Sequence, residues 1–230
     1  MKNLFLILVF LSSTAFAQSV FETGQKLYDS GKFAQAQPYF EQDLKENPNH
    51  YQSIEYLGDI QSQSKKWSKA VVFYEKLKTA KPNVANYQYK YGGALAMIAK
   101  ESNKFKALTL IGDIENSLLA ASKADAKHID SRWALVEYYL QVPAIFGGSE
   151  RKALKYAAEL QKLSAVDGYL ANGRISEYFG RYADAEKQYK NAIAVGNSKT
   201  CYLKLSSLYK NKMNQPEKAK KVLEAFSDKG

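Results

Sequence analysis

The sequence predicts an all-α solenoid in which antiparallel pairs of helices stack one on another. The first observation is a repeat of the segment Gly31–Pro48 after thirty-four residues. In that shift the following residues coincide: Phe33 with Trp67, Ala36 with Ala70, Phe40 with Tyr74 and Pro48 with Pro82. The second is helical spacing of the apolar residues within each copy. A fixed period of this length is typical of stacked helical hairpins.

The chemistry of the repeated segment explains its spacing. Gly31 ends one helix, where a residue that accepts positive φ allows a tight turn. Ala36 lies where two helices cross closely, and Phe40 and Leu44 follow on the same face. Pro48 stops the second helix because proline lacks the amide proton.

These positions resemble the tetratricopeptide repeat, a helix-turn-helix unit of thirty-four residues. The second copy supplies Ile54, Leu57, Gly58, Ala70, Tyr74 and Pro82. A downstream copy supplies Tyr169, Gly173, Gly180, Tyr182, Ala185 and Tyr189, and a further one Leu203, Ala219 and Leu223. The resemblance implies a right-handed α-solenoid of about five to six hairpins. It places clear repeats at about 17–50, 51–84, 166–199 and 200–230, within one repeat domain over 18–230.

Residues 1–17 have the pattern of a secretory signal peptide. Lys2 provides the positive start, Leu4–Leu11 the apolar run and Ala15–Ala17 the small-residue cleavage site. We therefore expect cleavage after Ala17 and export to the periplasm or medium, with no transmembrane segment in the mature chain. The other interpretation is a retained N-terminal anchor helix.

Residues 85–165 are predicted to be irregular repeats. One helix is expected from about Asn86 to Ala99, and a long one from Asn103 to about Lys123. The next first helix begins near Ile129, which leaves an excess of roughly eleven residues, or three helical turns. Whole turns keep the same face towards the neighbouring helices.

A glycine-rich loop, Val142–Ser149, precedes a helix that begins near Glu150. Gly147, Gly148 and Ser149 would place backbone amides at a helix N-terminus, which favours an anionic group. The alternative is that Ser149 is an ordinary N-cap and the two glycines an ordinary turn.

The chain carries a formal net charge of +10 at pH 7. Residues 199–230 hold eight lysines against Glu217, Glu224 and Asp228, a net charge of +5. This end could attract an acidic partner or an anionic envelope polymer, or could be a solvated outer face. No arrangement of arginines and aromatics suggests nucleic acid.

Enzymatic function is not predicted. His50 and His128 lie at junctions between repeats without metal-ligand spacing, so neither a metal nor another cofactor is expected. Cys201 is the one cysteine and is interpreted as a small buried hydrophobe. No nucleophile elbow and no phosphate-binding loop is present in the sequence.

The resemblance implies a concave groove lined by the first helix of each pair. Its inward-facing candidates on this chain are Gln25, Tyr28, Glu55, Asp59, Tyr89, Arg174, Glu177, Tyr178 and Lys204. Tyrosine and arginine are good interface anchors, although the tyrosines could instead pack between helices. The groove is predicted to be acidic near Glu55 and Asp59 and basic near Lys204.

We therefore expect an exported scaffold that binds a protein or peptide partner through this groove. The alternative is a receptor for a small anionic ligand or anionic envelope polymer, which would use the loop Gly147–Ser149 and the basic C-terminal repeat.

Overall fold

The structure, a computed structural model, describes residues 19–227. The signal peptide predicted at 1–17 lies outside these residues. Within them the chain forms twelve α-helices, one short 3-10 helix at Ala144–Phe146 and no strand. The helices are α1 (Val20–Asp29), α2 (Phe33–Glu46), α3 (Tyr51–Gln63), α4 (Trp67–Ala80), α5 (Ala85–Glu101), α6 (Lys104–Ala124), α7 (Ile129–Gln141), α8 (Glu150–Leu163), α9 (Ala165–Tyr178), α10 (Tyr182–Gly196), α11 (Lys199–Asn211) and α12 (Pro216–Ser227).

The helices pair into six hairpins, α1–α2 to α11–α12, and each helix packs on the next along the chain. Short connections force the two helices of a hairpin to run antiparallel. The predicted all-α solenoid of helix pairs is therefore confirmed. Among the described residues, none of the helices is both long and apolar enough to cross a membrane.

Close helix crossings explain the small residues of the repeat. A Cβ atom at Gly58 would lie 2.5 Å from Cε1 of Tyr74, and one at Gly173 would lie 2.4 Å from Cε1 of Tyr189. These distances are shorter than any van der Waals contact, so the first helix needs glycine where the second helix presents its tyrosine ring. The same contact between a glycine and a tyrosine ring is therefore made in two hairpins.

The third hairpin is longer than the second, as the sequence predicts. Helix α5 has 17 residues against 13 in α3, and α6 has 21 against 14 in α4. Both helices share the excess, with four residues in α5 and seven in α6, whereas the sequence predicted a long second helix alone. Because α3 and α5 begin at equivalent places, Tyr51 and Ala85, the extra turn of α5 lies at its connection to α6.

The core follows the seams between hairpins. Its main cluster runs from the second hairpin to the fifth and includes Leu77, Leu118 and Leu135, which are essentially inaccessible to solvent. Smaller clusters surround Phe40 near the N-terminal end and Tyr189 near the C-terminal end. The seams fix the relative positions of the first helices, which carry the predicted groove residues.

Candidate functional site

Polar and aromatic side chains connect the first helices of five successive hairpins, α1, α3, α5, α7 and α9. We call this row of contacts the inner ladder. It comprises the pairs Gln25–Tyr56, Glu55–Asn86, Glu55–Lys90, Asp59–Lys90, Tyr89–His128, Trp133–Asp167 and Glu137–Arg174. Five of the nine predicted groove residues lie in it, so much of the predicted surface makes contacts within the protein.

Lys90 neutralises much of the charge predicted for the N-terminal part of the ladder. Its Nζ lies 2.6 Å from Oε1 of Glu55 and 2.7 Å from Oδ2 of Asp59. The hydroxyl of Tyr74 donates to Oδ1 of Asp59 at 2.7 Å. Two carboxylates face one ammonium group, which leaves a single net negative charge instead of two.

A small cavity of about 230 Å³ opens between α1 and α3 at this point. Its lining residues are Phe21, Gln25, Gln52, Glu55, Tyr56 and Asp59. Two aromatic walls, two amides and a residual negative charge suit a cationic side chain, because a cation can contact both ring faces and carboxylates. Three of the predicted residues, Gln25, Glu55 and Asp59, therefore surround one hollow.

Tyr28 and Tyr89 pack between helices, the alternative left open by the sequence. The Tyr28 ring lies 4.7 Å from the Tyr56 ring and 5.0 Å from the Phe33 ring. Burial, with Asp59 next in importance, raises the pKa of Tyr28 to about 12. The Tyr89 ring lies 5.4 Å from that of His128, and burial raises its pKa as well. Tyr89 is part of the ladder, and Tyr28 packs against the ladder residue Tyr56.

The C-terminal part of the ladder is more open. Arg174 binds Glu137 through two bonds of 2.7 and 3.0 Å, and Glu177 accepts a bond from the Tyr189 hydroxyl at 2.8 Å. Tyr178 is 45% exposed, with the Arg174 guanidinium 5.6 Å from its ring centre. Lys204, on α11, is exposed. Tyr178 and Lys204 are therefore the predicted residues most accessible to a partner.

Seven of the twelve ladder residues were not among the predicted groove residues: Tyr56, Asn86, Lys90, His128, Trp133, Glu137 and Asp167. Trp133 Nε1 donates to Oδ1 of Asp167 at 2.7 Å, and the same indole-to-carboxylate bond links Trp67 to Glu101 at 2.9 Å. Both pairs are separated by 34 residues. An acidic residue one period after each tryptophan was the signal that could have identified these contacts.

The glycine-rich loop does not provide the free amides that the sequence analysis predicted, and that prediction is wrong. Gly147 N–H donates to the Ala144 carbonyl, Gly148 N–H to that of Pro143, and Ser149 N–H to that of Tyr139, at 2.9–3.2 Å. Ser149 is instead the N-cap of α8, which was the alternative interpretation of the sequence.

Glycine is required at position 148 for a different reason. A Cβ atom there would lie 1.7 Å from the Val142 carbonyl oxygen. The adjacent Glu150 pairs with Arg181 of the next hairpin, so the loop is tied into the solenoid.

A cluster of Asp43, His50 and Ser53 joins the first two hairpins. His50 Nδ1 lies 2.5 Å from Oδ2 of Asp43, and the buried Ser53 hydroxyl donates to the same oxygen at 2.5 Å. In a serine hydrolase the hydroxyl would instead contact the far ring nitrogen, Nε2. Here Nε2 faces Gln52, 3.2 Å away, so the cluster is arranged as a junction between helices.

Asp43→Asn is expected to destabilise the fold by about 1–2 kcal/mol at pH 6 and by much less at pH 3. Burial raises the pKa of Asp43, but hydrogen bonds from Ser53 and His50 outweigh it and lower the pKa below its ordinary value. The carboxylate therefore stabilises the fold above about pH 4, and the contribution is lost as the pH falls through the lowered pKa.

Thermal denaturation of the wild type and of the Asp43→Asn variant between pH 6 and pH 3 measures this difference. The exposed Asp113 provides the control, since Asp113→Asn removes a carboxylate without breaking a buried contact. An Asp43→Asn deficit that is the same at both pH values would contradict the argument.

The cysteine and the potential metal ligands are the remaining candidates for a reactive site among the described residues. Cys201 is buried, with Sγ 3.2 Å from the Ser198 hydroxyl. Within residues 19–227, no group of three histidine, cysteine or acidic side chains is arranged to hold a metal ion. What the described chain offers is a ladder-lined face with one polar cavity.

Stacked hairpins with such a face define a helical-repeat protein. The sequence model of the tetratricopeptide repeat family matches residues 21–85. The remaining hairpins continue the same fold, and the predicted resemblance is confirmed. No curated protein matches the chain in sequence.

Solved tetratricopeptide-repeat structures share this fold at low sequence identity. A thermophilic protein from Thermus thermophilus is 18% identical with a TM-score of 0.67, over 83% of this chain and 97% of its own. A protein from Parabacteroides merdae is 15% identical with a TM-score of 0.65, over 90% and 77%. YrrB, described as having an unusual peptide-binding site, is 14% identical with a TM-score of 0.56, over 79% and 87%.

Proposed function

We propose that this protein is an exported, non-catalytic scaffold that binds a protein or peptide partner along its inner ladder. The observation that carries the proposal is the cavity between α1 and α3, at which Gln25, Glu55 and Asp59 come together. A hollow of about 230 Å³ accommodates one side chain of a partner.

The charges along the ladder indicate the partner's chemistry. The cavity keeps one net negative charge beside two aromatic rings, so it favours a lysine or arginine side chain. Beyond the C-terminal end of the ladder, on α11, the exposed Lys204 favours an acidic group. A partner that spans the ladder would therefore carry charges of both signs.

The ladder is suited to binding because its own contacts hold it in place. The bidentate bond of Arg174 to Glu137 and the double ion pair of Lys90 fix side chains that would otherwise lose conformational freedom on binding. Tyr178 remains 45% exposed beside Arg174 and provides an aromatic anchor. The peptide-binding site named for YrrB, which shares the fold, supports a peptide or an extended segment as ligand.

The signal peptide predicted at residues 1–17 supports the exported location in this proposal. The predicted cleavage after Ala17 would release the chain into the periplasm or medium, where a scaffold could act without an attached membrane helix. Pulse labelling followed by N-terminal sequencing of the exported chain tests this; a retained Met1 in the exported form would contradict it.

Gln52→Arg is expected to weaken partner binding roughly tenfold or more. Gln52 is exposed and lines the cavity, so an arginine there fills the hollow and supplies the cation that the partner would bring. Affinity capture with the full chain from native envelope extract, quantified by mass spectrometry, measures the loss.

Gln63→Arg is the matched control, because Gln63 is an exposed glutamine on the same helix and does not line the cavity. Tyr178→Ala is expected to reduce capture as well, since it removes an exposed anchor. Equal capture by the wild type, Gln52→Arg and Tyr178→Ala would reject the inner ladder as the binding surface.

A further inference from the structure

Two large apolar side chains are almost fully exposed at the connections of neighbouring hairpins. Phe105, at the start of α6, is 84% exposed, and Ile145, in the connection between α7 and α8, is 85% exposed. Phe146 beside it is 43% exposed. These side chains add little to the stability of the solenoid, so their exposure calls for another explanation.

Residues near Phe105 and near Ile145 in sequence line one apolar cleft with a volume of about 580 Å³. Lys104 and Ala107, which flank Phe105 in sequence, line one wall, and Pro143 and Phe146, which flank Ile145, line the other. The floor consists mainly of alanine, leucine and isoleucine side chains from α5, α6 and α7. We call this cleft, together with the exposed Phe105 and Ile145, the loop edge.

Lysines surround the loop edge. Lys100 and Lys104 line the cleft, and Lys106 lines an adjacent hollow of about 360 Å³ together with three further lysines. Those three are Lys65, Lys66 and Lys69, at the connection between α3 and α4.

The acidic residue in this adjacent hollow, Glu101, accepts a bond from the Trp67 indole. Six lysines stand against two glutamates, Glu101 and the cleft residue Glu137, and Glu137 is paired with Arg174, so the loop edge has a positive potential.

The loop edge also protrudes. Helix α5 is four residues longer than α3 at its C-terminal end, which carries the start of α6 about 6 Å beyond the preceding connection. A planar surface on this side of the solenoid would therefore contact Phe105 before it contacts the connection between α3 and α4.

We propose that the loop edge docks on the surface of an anionic lipid bilayer. Phe105 and Ile145 enter the boundary between headgroups and acyl chains, while the lysines contact lipid phosphates. A bilayer accepts two outward-pointing apolar side chains at once and matches the excess of positive charge. The cleft reaches the inner ladder at Glu137, which pairs with Arg174. Phe105, Ile145 and the lysines are not part of the ladder, so this attachment does not depend on the proposed function.

A second copy of the chain fits this surface less well. A symmetric dimer would bring the same patch of both subunits together, and with it two sets of six lysines. Like charges opposed in this way destabilise an interface. An acidic protein partner is the remaining alternative, and the experiment below separates it from a bilayer.

The test compares binding of the full chain to vesicles of phosphatidylcholine with and without phosphatidylglycerol. Residues 1–17 are kept in every variant, so their contribution is common to all. The double variant Phe105→Ser with Ile145→Ser is expected to lower the partition coefficient for phosphatidylglycerol vesicles roughly tenfold. Replacing Lys100, Lys104 and Lys106 with glutamine is expected to cause a similar loss and to reduce the dependence on salt.

Val72→Ser with Val195→Ser is the matched control. Both valines are exposed, at 52% and 57%, and line neither the cleft nor the adjacent hollow. Circular dichroism melts establish that each variant folds. This control is expected to bind vesicles as the wild type does.

Four results would overturn the proposal. The first is equal binding of the wild type to vesicles with and without phosphatidylglycerol. The second is equal binding of the Phe105/Ile145 variant and the valine control. The third is conversion of a dimer to a monomer by the Phe105/Ile145 variant in analytical ultracentrifugation, which would assign the face to self-association. The fourth is loss of an acidic protein partner by this variant with vesicle binding unchanged.

Discussion

Tyr189→Ala is expected to lower the free energy of unfolding by about 3–5 kcal/mol. The Tyr189 ring is fully buried between α9 and α10, and its edge fills the space left by the missing side chain of Gly173. Truncation leaves a cavity that neither helix can fill, because the adjacent positions are Gly173 and the buried Ala185. It also removes the hydroxyl that donates to Glu177.

Chemical denaturation followed by circular dichroism measures the change. Hydrogen exchange should place it in the fifth and sixth hairpins, because each repeat of a solenoid contacts only its neighbours. Tyr189→Phe is the control: it keeps the ring, loses the bond to Glu177 and is expected to cost about 1 kcal/mol. If alanine and phenylalanine at this position proved equally destabilising, the packing of the ring against Gly173 would not be the main contribution.

The sequence predicts such contacts because they are local and repeated. Gly58 with Tyr74 and Gly173 with Tyr189 are each separated by sixteen residues, the distance from one helix to the next within a hairpin. A turn signal and a helical period therefore suffice to bring them together. The same reasoning placed the start of α7 at Ile129 and that of α8 at Glu150.

Contacts between hairpins were less predictable. Glu55 and Asp59 were identified as inward-facing, but their neutralisation by Lys90 depends on how far α5 is offset along α3. A rotation of one helix by a single residue would turn the lysine side chain away. The period fixes which helix stacks on which, and packing of the seam fixes the offset.

The glycine-rich loop shows a second limit. Its amides were considered as an anion site because they precede the N-terminus of a helix. In the fold, Ser149 N–H donates to the carbonyl of Tyr139, ten residues earlier, which becomes available only because the end of α7 turns back on the loop. Buried backbone groups find partners of this kind, and the pairing is set by tertiary structure.

Arg132→Met is expected to destabilise the protein by about 3 kcal/mol. The Arg132 side chain is buried on α7, and its Nε donates to Oε2 of Glu159 at 3.0 Å. Its two terminal nitrogens donate to the carbonyls of Ser122, Asp125 and His128 at 2.9–3.3 Å. The guanidinium group thus donates hydrogen bonds to backbone carbonyls at the end of α6 and at the start of α7.

Methionine fills a similar volume, so the expected effect comes from lost hydrogen bonds and not from a cavity. The main losses are at the Ser122 carbonyl and the Glu159 carboxylate. The carbonyls of Asp125 and His128 lose less, because they also accept from the His128 amide and the Ser131 hydroxyl. Arg132→Lys keeps the charge but cannot reach four acceptors with one ammonium group, so an intermediate loss is expected. Glu159→Gln removes only the charge of one partner, and its effect should be the smallest of the three because Glu159 is half-buried. Denaturation of the three variants under one condition gives the order. An Arg132→Met protein as stable as the Glu159→Gln protein would show that the carbonyl groups of Ser122, Asp125 and His128 do not need this side chain, and that the seam between α6 and α7 is held by its apolar contacts.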